Sequence, residues 1–169
     1  LGLISSTREA SVQQIVRFAP YVILRAEFFD RRLIVSPQLR LETSHVYAND
    51  GAVSQTQFRP EPRLYVSGQI VPRYLLLKAG VGVYSQLAQP ADLSLSFGNP
   101  LLLPQYGTTY LGGFESEPTS TLFIQGQFFY KDLRSMIVNN SETRYDNGGL
   151  GRVIGGDFLL RQRLWRGLF

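Results

Sequence analysis

Arg63-Leu64-Tyr65-Val66-Ser67-Gly68-Gln69-Ile70, a Pro72-Arg73 break, and Leu75-Leu76-Leu77-Lys78-Ala79-Gly80-Val81-Gly82-Val83-Tyr84 decide the fold. Their period is two. Leu64, Val66, Gly68 and Ile70 share one face, and Arg63, Tyr65, Ser67 and Gln69 the other. After the break, Leu75, Leu77, Ala79, Val81 and Val83 alternate with Leu76, Lys78, Gly80, Gly82 and Tyr84. Strict alternation means strands with one apolar face.

The same pattern extends outward from this hairpin. Leu122, Ile124, Gly126, Phe128 and Tyr130 alternate with Phe123, Gln125, Gln127, Phe129 and Lys131. Upstream, Val35, Pro37, Leu39 and Leu41 alternate with Ser36, Gln38, Arg40 and Glu42. Phe18, Pro20, Val22, Leu24 and Phe28 oppose Arg17, Tyr21, Arg25 and Glu27. Seven strands are expected, at about 15–29, 33–46, 62–71, 74–86, 105–116, 121–132 and 150–164. Several exceed the roughly 9–11 residues that a tilted strand needs to cross a bilayer. Pro20 and Pro37 each lose a ladder donor, so bulges or local unpairing are expected there.

The connections alternate in length. Short turns fall at Asp30-Arg31-Arg32, Pro72-Arg73, Glu117-Pro118-Thr119-Ser120 and Trp165-Arg166-Gly167, and long polar loops at about 46–60, 87–104 and 133–149. Short turns at one end and long loops at the other are the signature of an antiparallel up-and-down transmembrane β-barrel. Composition agrees. The chain is 44% hydrophobic, yet its mean hydropathy is close to zero, because a barrel strand shows only alternate side chains to lipid. No apolar run is long enough for a membrane-spanning helix. The net charge of +4 is spread along the chain, which argues against nucleic acid as a partner. The absence of cysteine removes disulfide and thiolate-metal readings.

Closed single-chain bacterial barrels usually have an even strand number. Seven strands would leave two open edges in hydrocarbon, which is not tolerated. The remaining strands are therefore expected from a larger parent or a partner chain, with outer-membrane lipid around them. An alternative takes terminal Phe169 as the Phe ending of an outer-membrane protein.

Three motifs give this pattern a family. Asn99-Pro100-Leu101-Leu102-Leu103-Pro104-Gln105, followed by Tyr110-Leu111-Gly112-Gly113, resembles the N-P-x-L-x-P-E…Y-x-x-G signature of TonB-dependent outer-membrane receptors. Phe128-Phe129-Tyr130-Lys131-Asp132 and Ile137 resemble that family's next strand. Asn147, Gly149, Gly155 and Asp157 are similar to its glycine-rich segment. Gln105 and Asp157 both stand where Glu is usual. The likeness is best over 62–164. It implies bacterial outer-membrane localisation and a barrel of about 22 strands, of which residues 1–169 are part, without the N-terminal plug domain. It further implies uptake of a siderophore-like or other scarce nutrient, with a plug and a TonB-like energiser as partners. The alternative is a barrel-derived structural subunit of a multi-protein outer-membrane complex that has no transport activity.

No catalytic, cofactor or metal site is expected. His45 is the one histidine and reads as a solvated rim residue beside Tyr47, since zinc sites assemble several ligands. The aspartates lack calcium-loop spacing, and no nucleophile–base spacing appears. Arg40, Glu42, Lys78, Gln125, Gln127, Lys131, Asp157 and Arg161 are the lumen-facing candidates, together with Glu27. They either bind an anionic substrate, pair with a plug, or form a solvated lattice of mixed charge. Gly80 and Gly82 suggest close approach by another group, or ordinary barrel curvature. Loop 87–104 is unusually apolar, with Leu93, Leu95, Phe97 and Leu101 to Leu103. It is expected to fold into the mouth, pack on other loops or dock a partner.

Overall fold

The computed structural model describes residues 13–48, 54–94 and 98–162. They form β1 (Gln13–Phe18), β2 (Tyr21–Ile23), β3 (Ala26–Phe28), β4 (Leu33–Ala48), β5 (Ser54–Val71), β6 (Leu75–Gln86), β7 (Gln105–Thr119), β8 (Leu122–Asn140) and β9 (Arg144–Gln162). All lie in one antiparallel sheet ordered β1-β4-β5-β6-β7-β8-β9, with β2 and β3 also pairing with β4. β1 to β3 are one broken pass, so the described residues make seven passes.

The breaks have a simple cause. Leu41 N–H reaches Pro20 O at 2.9 Å, and Leu24 N–H reaches Pro37 O at 3.0 Å. Each pair keeps one hydrogen bond where two are usual, because proline has no N–H to return. Pro37 itself stays within β4, opposite Leu64.

The turns at one end are tight. Asp30 and Arg31 have φ of 53° and 67°, and Arg32 N–H closes on Phe29 O, as in the primed turns that suit strand twist. Val71-Pro72-Arg73-Tyr74 is a type II turn: proline is second, Arg73 has φ of 69°, and Tyr74 N–H bonds Val71 O. The third turn lies at 120–121 rather than 117–120, because β7 continues to Thr119. The turn expected at 165–167 lies outside the described residues.

Two of the expected long loops are largely strand. β5 starts at Ser54, and β8 and β9 continue through 133–149 around a turn at 141–143. Their polar sequences resemble loops because, beyond the hydrocarbon, neither face of a ribbon has to be apolar along its length. A bulge at Ser135 (φ 55°) and register shifts between Leu133 and Val138 mark where this ribbon leaves the regular sheet. Of the three expected long loops, 87–104 is the one whose described residues remain a long connection.

The packing is inside out. Ile154, Phe158 and Phe128 are 79%, 69% and 68% exposed, whereas Glu42 and Arg59 are 3% and 1% exposed. Register sorts the residues: Ser67↔Lys78↔Gly113↔Gln127↔Asp157 runs across five strands on one face, and Val66↔Ala79↔Gly112↔Phe128↔Gly156 on the other. The outward face is apolar and the other polar, so the sheet is a segment of transmembrane β-barrel.

Glycine lets rings lie flat on this wall. The Tyr65 ring covers Gly80, where a Cβ would stand 2.7 Å from it, and Phe129 covers Gly155, where the distance would be 2.3 Å. The group that approaches Gly80 is thus a neighbouring strand's ring.

Phe128→Arg, on the outward face, should destabilise the reconstituted barrel by about 2–4 kcal/mol. Gln127→Arg, one residue along on the polar face, should cost much less. Equilibrium urea unfolding in lipid measures both, and equal costs would overturn the face assignment.

Candidate functional site at the mouth

The eight polar candidates share one face, where seven of them fall into three groups and Arg161 is separate. Arg40 and Glu42 belong to a cluster on β1, β4 and β5. Arg17 Nη2 and Arg40 Nη2 reach Glu42 at 2.7 and 2.8 Å, and Arg59 Nη2 stands 3.9 Å away. Beside it, Glu61 accepts from Arg63 Nη2 at 2.9 Å, and from Ser85 N–H at 2.8 Å. The Arg63 guanidinium sits 4.2 Å from the Tyr84 ring centre. Lys78 pairs with Glu115 in a second group, beside Gln125 and Gln127. The third is a cavity of about 630 Å³ that brings Gln127, Lys131 and Asp157 together with Tyr84, Tyr106 and Phe129. Lys131 Nζ lies 5.3 Å over the Phe129 ring. Arg161 stands apart, 5.6 Å over Phe123.

Arg59 and Glu61 are absent from the sequence expectations because that stretch was read as loop. The signal was present: Gln57, Arg59, Glu61 and Arg63 alternate with Phe58, Pro60, Pro62 and Leu64. Two prolines and four polar residues obscured it. His45 faces the other way, opposite Thr56 in the ladder, with Nδ1 2.6 Å from the Thr56 hydroxyl and its ring 4.1 Å from Tyr47. Among the described residues no group of three His, Cys, Asp or Glu side chains is placed to hold a metal.

The long connection is built into the mouth. Ala88, Leu93 and Leu102 bury with Val46 of β4, and Ile15, Ile137 and Tyr145 pack around them. β4 and β8 are four strand spacings apart in the sheet, roughly 19 Å of arc at about 4.8 Å each. One segment touching both is a chord across a curved wall, and its contact with Gln57 puts it on the polar, concave side. Gln57 Nε2 donates to Leu102 O at 3.4 Å, and Asn99 Nδ2 to Tyr145 O at 2.8 Å. Asn147 imitates a β-ladder partner: its Oδ1 accepts Leu103 N–H at 2.7 Å, and its Nδ2 donates to Leu103 O at 2.8 Å and to Ser135 O at 3.0 Å. Leu95 and Phe97 lie outside the described residues.

The remaining motif positions follow from this docking. Asn99 Oδ1 accepts Leu101 N–H at 3.0 Å ahead of buried Leu102 and Pro104. Pro100 opens that turn. Gly149 accommodates Met136 and Val138 of the facing strand, and Gly113 meets Gly126 O. Tyr110 faces outward opposite Tyr130. At the hairpin tip, hydrogen bonds from the Asn140 side chain and the Gly148 backbone hold the Asp146 carboxyl below its ordinary range.

With this geometry the comparisons agree. Residues 4–169 match the family described as TonB dependent receptor-like, beta-barrel. The chain belongs to that family of outer-membrane receptors. Its fold resembles the ferric-catecholate import receptor Fiu of E. coli in closed form (TM-score 0.69, 15% identity, covering 91% of this chain and 26% of that one). It also resembles the apoprotein form of the FrpB iron transporter of Neisseria meningitidis (TM-score 0.75, 14% identity, covering 90% and 24%). A second FrpB variant gives a TM-score of 0.74 at 15% identity, covering 90% and 23%. The chain therefore spans about a quarter of the length of these structures. No curated protein sequence matched.

Asn147→Ala should loosen the strap without unfolding the sheet. Loss of the two-way bond is worth about 1–3 kcal/mol locally. Hydrogen exchange at Leu103 should rise in step, while amides in β6 and β7 stay protected. Unchanged exchange at Leu103 would show that the apolar cluster alone holds the strap.

Proposed function

We propose that this sheet is part of the barrel of an energised outer-membrane transporter that takes up a scarce nutrient, iron in the form of a siderophore-like chelate being the class that the ferric-catecholate and iron transporters it resembles suggest. The observation that carries the reading is the strap. A wide polar wall is crossed at its mouth by a segment held through three side-chain amides, with a cavity of about 630 Å³ at its feet, Gln86 and Gln105. A purely structural sheet needs neither a hollow concave face nor a chord across it.

The lumen-facing role of Arg40, Glu42, Lys78, Gln125, Gln127, Lys131, Asp157 and Arg161 belongs to this proposal. Partners are part of it too. Arg59 Nε and Nη1, Gln57 Oε1 and Arg63 Nε are buried and meet no hydrogen-bonding group among the described residues. Buried polar atoms of this kind normally find a partner, and ordered water enclosed beneath the strap would supply acceptors for the arginines, while a central plug domain would face the more open part of the wall around Arg40 and Lys78. β9 pairs with β8 alone among the described residues, and an open edge in hydrocarbon is costly. Further strands and surrounding outer-membrane lipid complete the barrel.

The test is uptake by cells carrying the intact gene. Deleting the gene should abolish import of one scarce nutrient, and so should dissipating the proton gradient that powers a TonB-like energiser. Deleting 90–101 should weaken substrate capture while the barrel still assembles, as judged by heat-modifiable migration on gels. If the gene deletion changes no uptake but dismantles an outer-membrane complex, the scaffold reading replaces this one.

A further inference from the structure

The outward face of β7, β8 and β9 is layered. Ile124 and Leu160 form one row, and Phe128 stands two rows further along, opposite Gly112 and Gly156. Next comes Tyr110 opposite Tyr130, with ring centres 6.0 Å apart, and Ile154 beside them. The row beyond holds Thr108, Asp132 and Arg152 in register, and Arg134 follows Asp132 two residues along β8. Tyrosines, apolar in body and polar at the tip, mark where hydrocarbon gives way to headgroups. From Leu122 to Tyr130 the apolar span is eight residues of strand, roughly 26 Å at about 3.3 Å each. At a tilt of about 40° this spans roughly 20 Å along the membrane normal, and the row at Asp132 lies about 25 Å from Leu122, the height of the apolar band of an outer-membrane barrel. The charged rows therefore stand at headgroup depth, on the face that meets lipid.

Their charges do not cancel. Arg134 Nε binds Asp132 Oδ2 at 2.9 Å, and the arginine remains 73% exposed. This contact engages Nε alone and leaves both its terminal nitrogens free of that carboxylate. Arg152 is exposed and pairs with no carboxylate among the described residues. Two guanidinium groups against one carboxylate leave a net positive charge beside the acyl region. Water alone meets such groups at a free surface; at this depth an anionic headgroup is the complementary neighbour.

We propose that Arg134 and Arg152, set above the Tyr110–Tyr130 pair, bind the phosphate of an anionic lipid in the leaflet at the strap end of the barrel. A guanidinium presents paired donors that fit phosphate oxygens. The lipid's acyl chains lie on the apolar rows and fix its depth. The site faces away from the transport path and stands on the barrel geometry alone.

The experiment uses the whole receptor in vesicles of phosphatidylcholine, with or without phosphatidylglycerol. It reads lipid retained after detergent extraction, by native mass spectrometry, and the thermal midpoint. Wild-type protein should retain phosphatidylglycerol preferentially and melt higher in its presence. Arg134→Gln with Arg152→Gln should lower that preference about fivefold per arginine, leave the midpoint in pure phosphatidylcholine unchanged, and be partly rescued by Lys at both positions. Inorganic phosphate should neither shift the midpoint nor compete. The proposal is overturned if the double variant keeps the wild-type preference, if it melts lower in phosphatidylcholine alone, or if inorganic phosphate competes.

Discussion

In hydrocarbon, no water hydrogen-bonds a peptide group that the protein leaves unpaired. The rest of this structure follows from that constraint. The ladder must run unbroken through the apolar band, so the sheet accepts side chains of almost any polarity on its inner face before it accepts a lost backbone bond. At Pro20 and Pro37 it loses one bond of a pair and restores pairing within a few residues. Both interruptions fall at the seam between the first pass and β4, and there the first pass breaks into β1, β2 and β3 rather than leaving the sheet.

The same constraint inverts the usual relation between polarity and burial. Apolar side chains meet lipid, so among the described residues the sheet packs on no apolar core beneath it. Stability comes from the ladder, from rings lying across glycines of the neighbouring strand, and from ion pairs on the concave face. The small apolar cluster at Val46, Ala88, Leu93 and Leu102 sits at the mouth, where a segment has folded back over the wall. Removing Leu102 would open that strap, not the barrel.

Most of the fold was legible because period two survives wherever one face meets lipid. The faces of Arg63 to Ile70, Leu75 to Tyr84 and Leu122 to Lys131 are those the alternation gave. Legibility ended where lipid ends. In 133–149 neither face of the ribbon lies against hydrocarbon, alternation no longer distinguishes them, and strand reads as loop. Arg59 and Glu61 were lost for a related reason, since Pro60 and Pro62 imitate a turn while lying on a strand whose ladder tolerates them. The strap was visible only as misplaced apolar residues. Its partners were out of reach: Asn147 lies 44 residues from Leu103, and no local pattern announces a side chain acting as a strand.

That last contact changes how the family motifs are understood. Asn99 and Asn147 belong to separate motifs in sequence, yet both tie the strap to one outer hairpin: Asn99 reaches Tyr145 O, and Asn147 embraces Leu103. Gly149 admits Met136 and Val138 beside it. A carboxamide offers a donor and an acceptor in one plane, as a peptide unit does, so Asn147 extends the ladder sideways onto a segment that cannot join it as a strand. Aspartate would keep the acceptor for Leu103 N–H but lose the donor to Leu103 O and Ser135 O, placing a charge against two carbonyls. The motif therefore encodes a joint between two connections, and the geometry of the mouth follows from that joint more than from the strands beneath it.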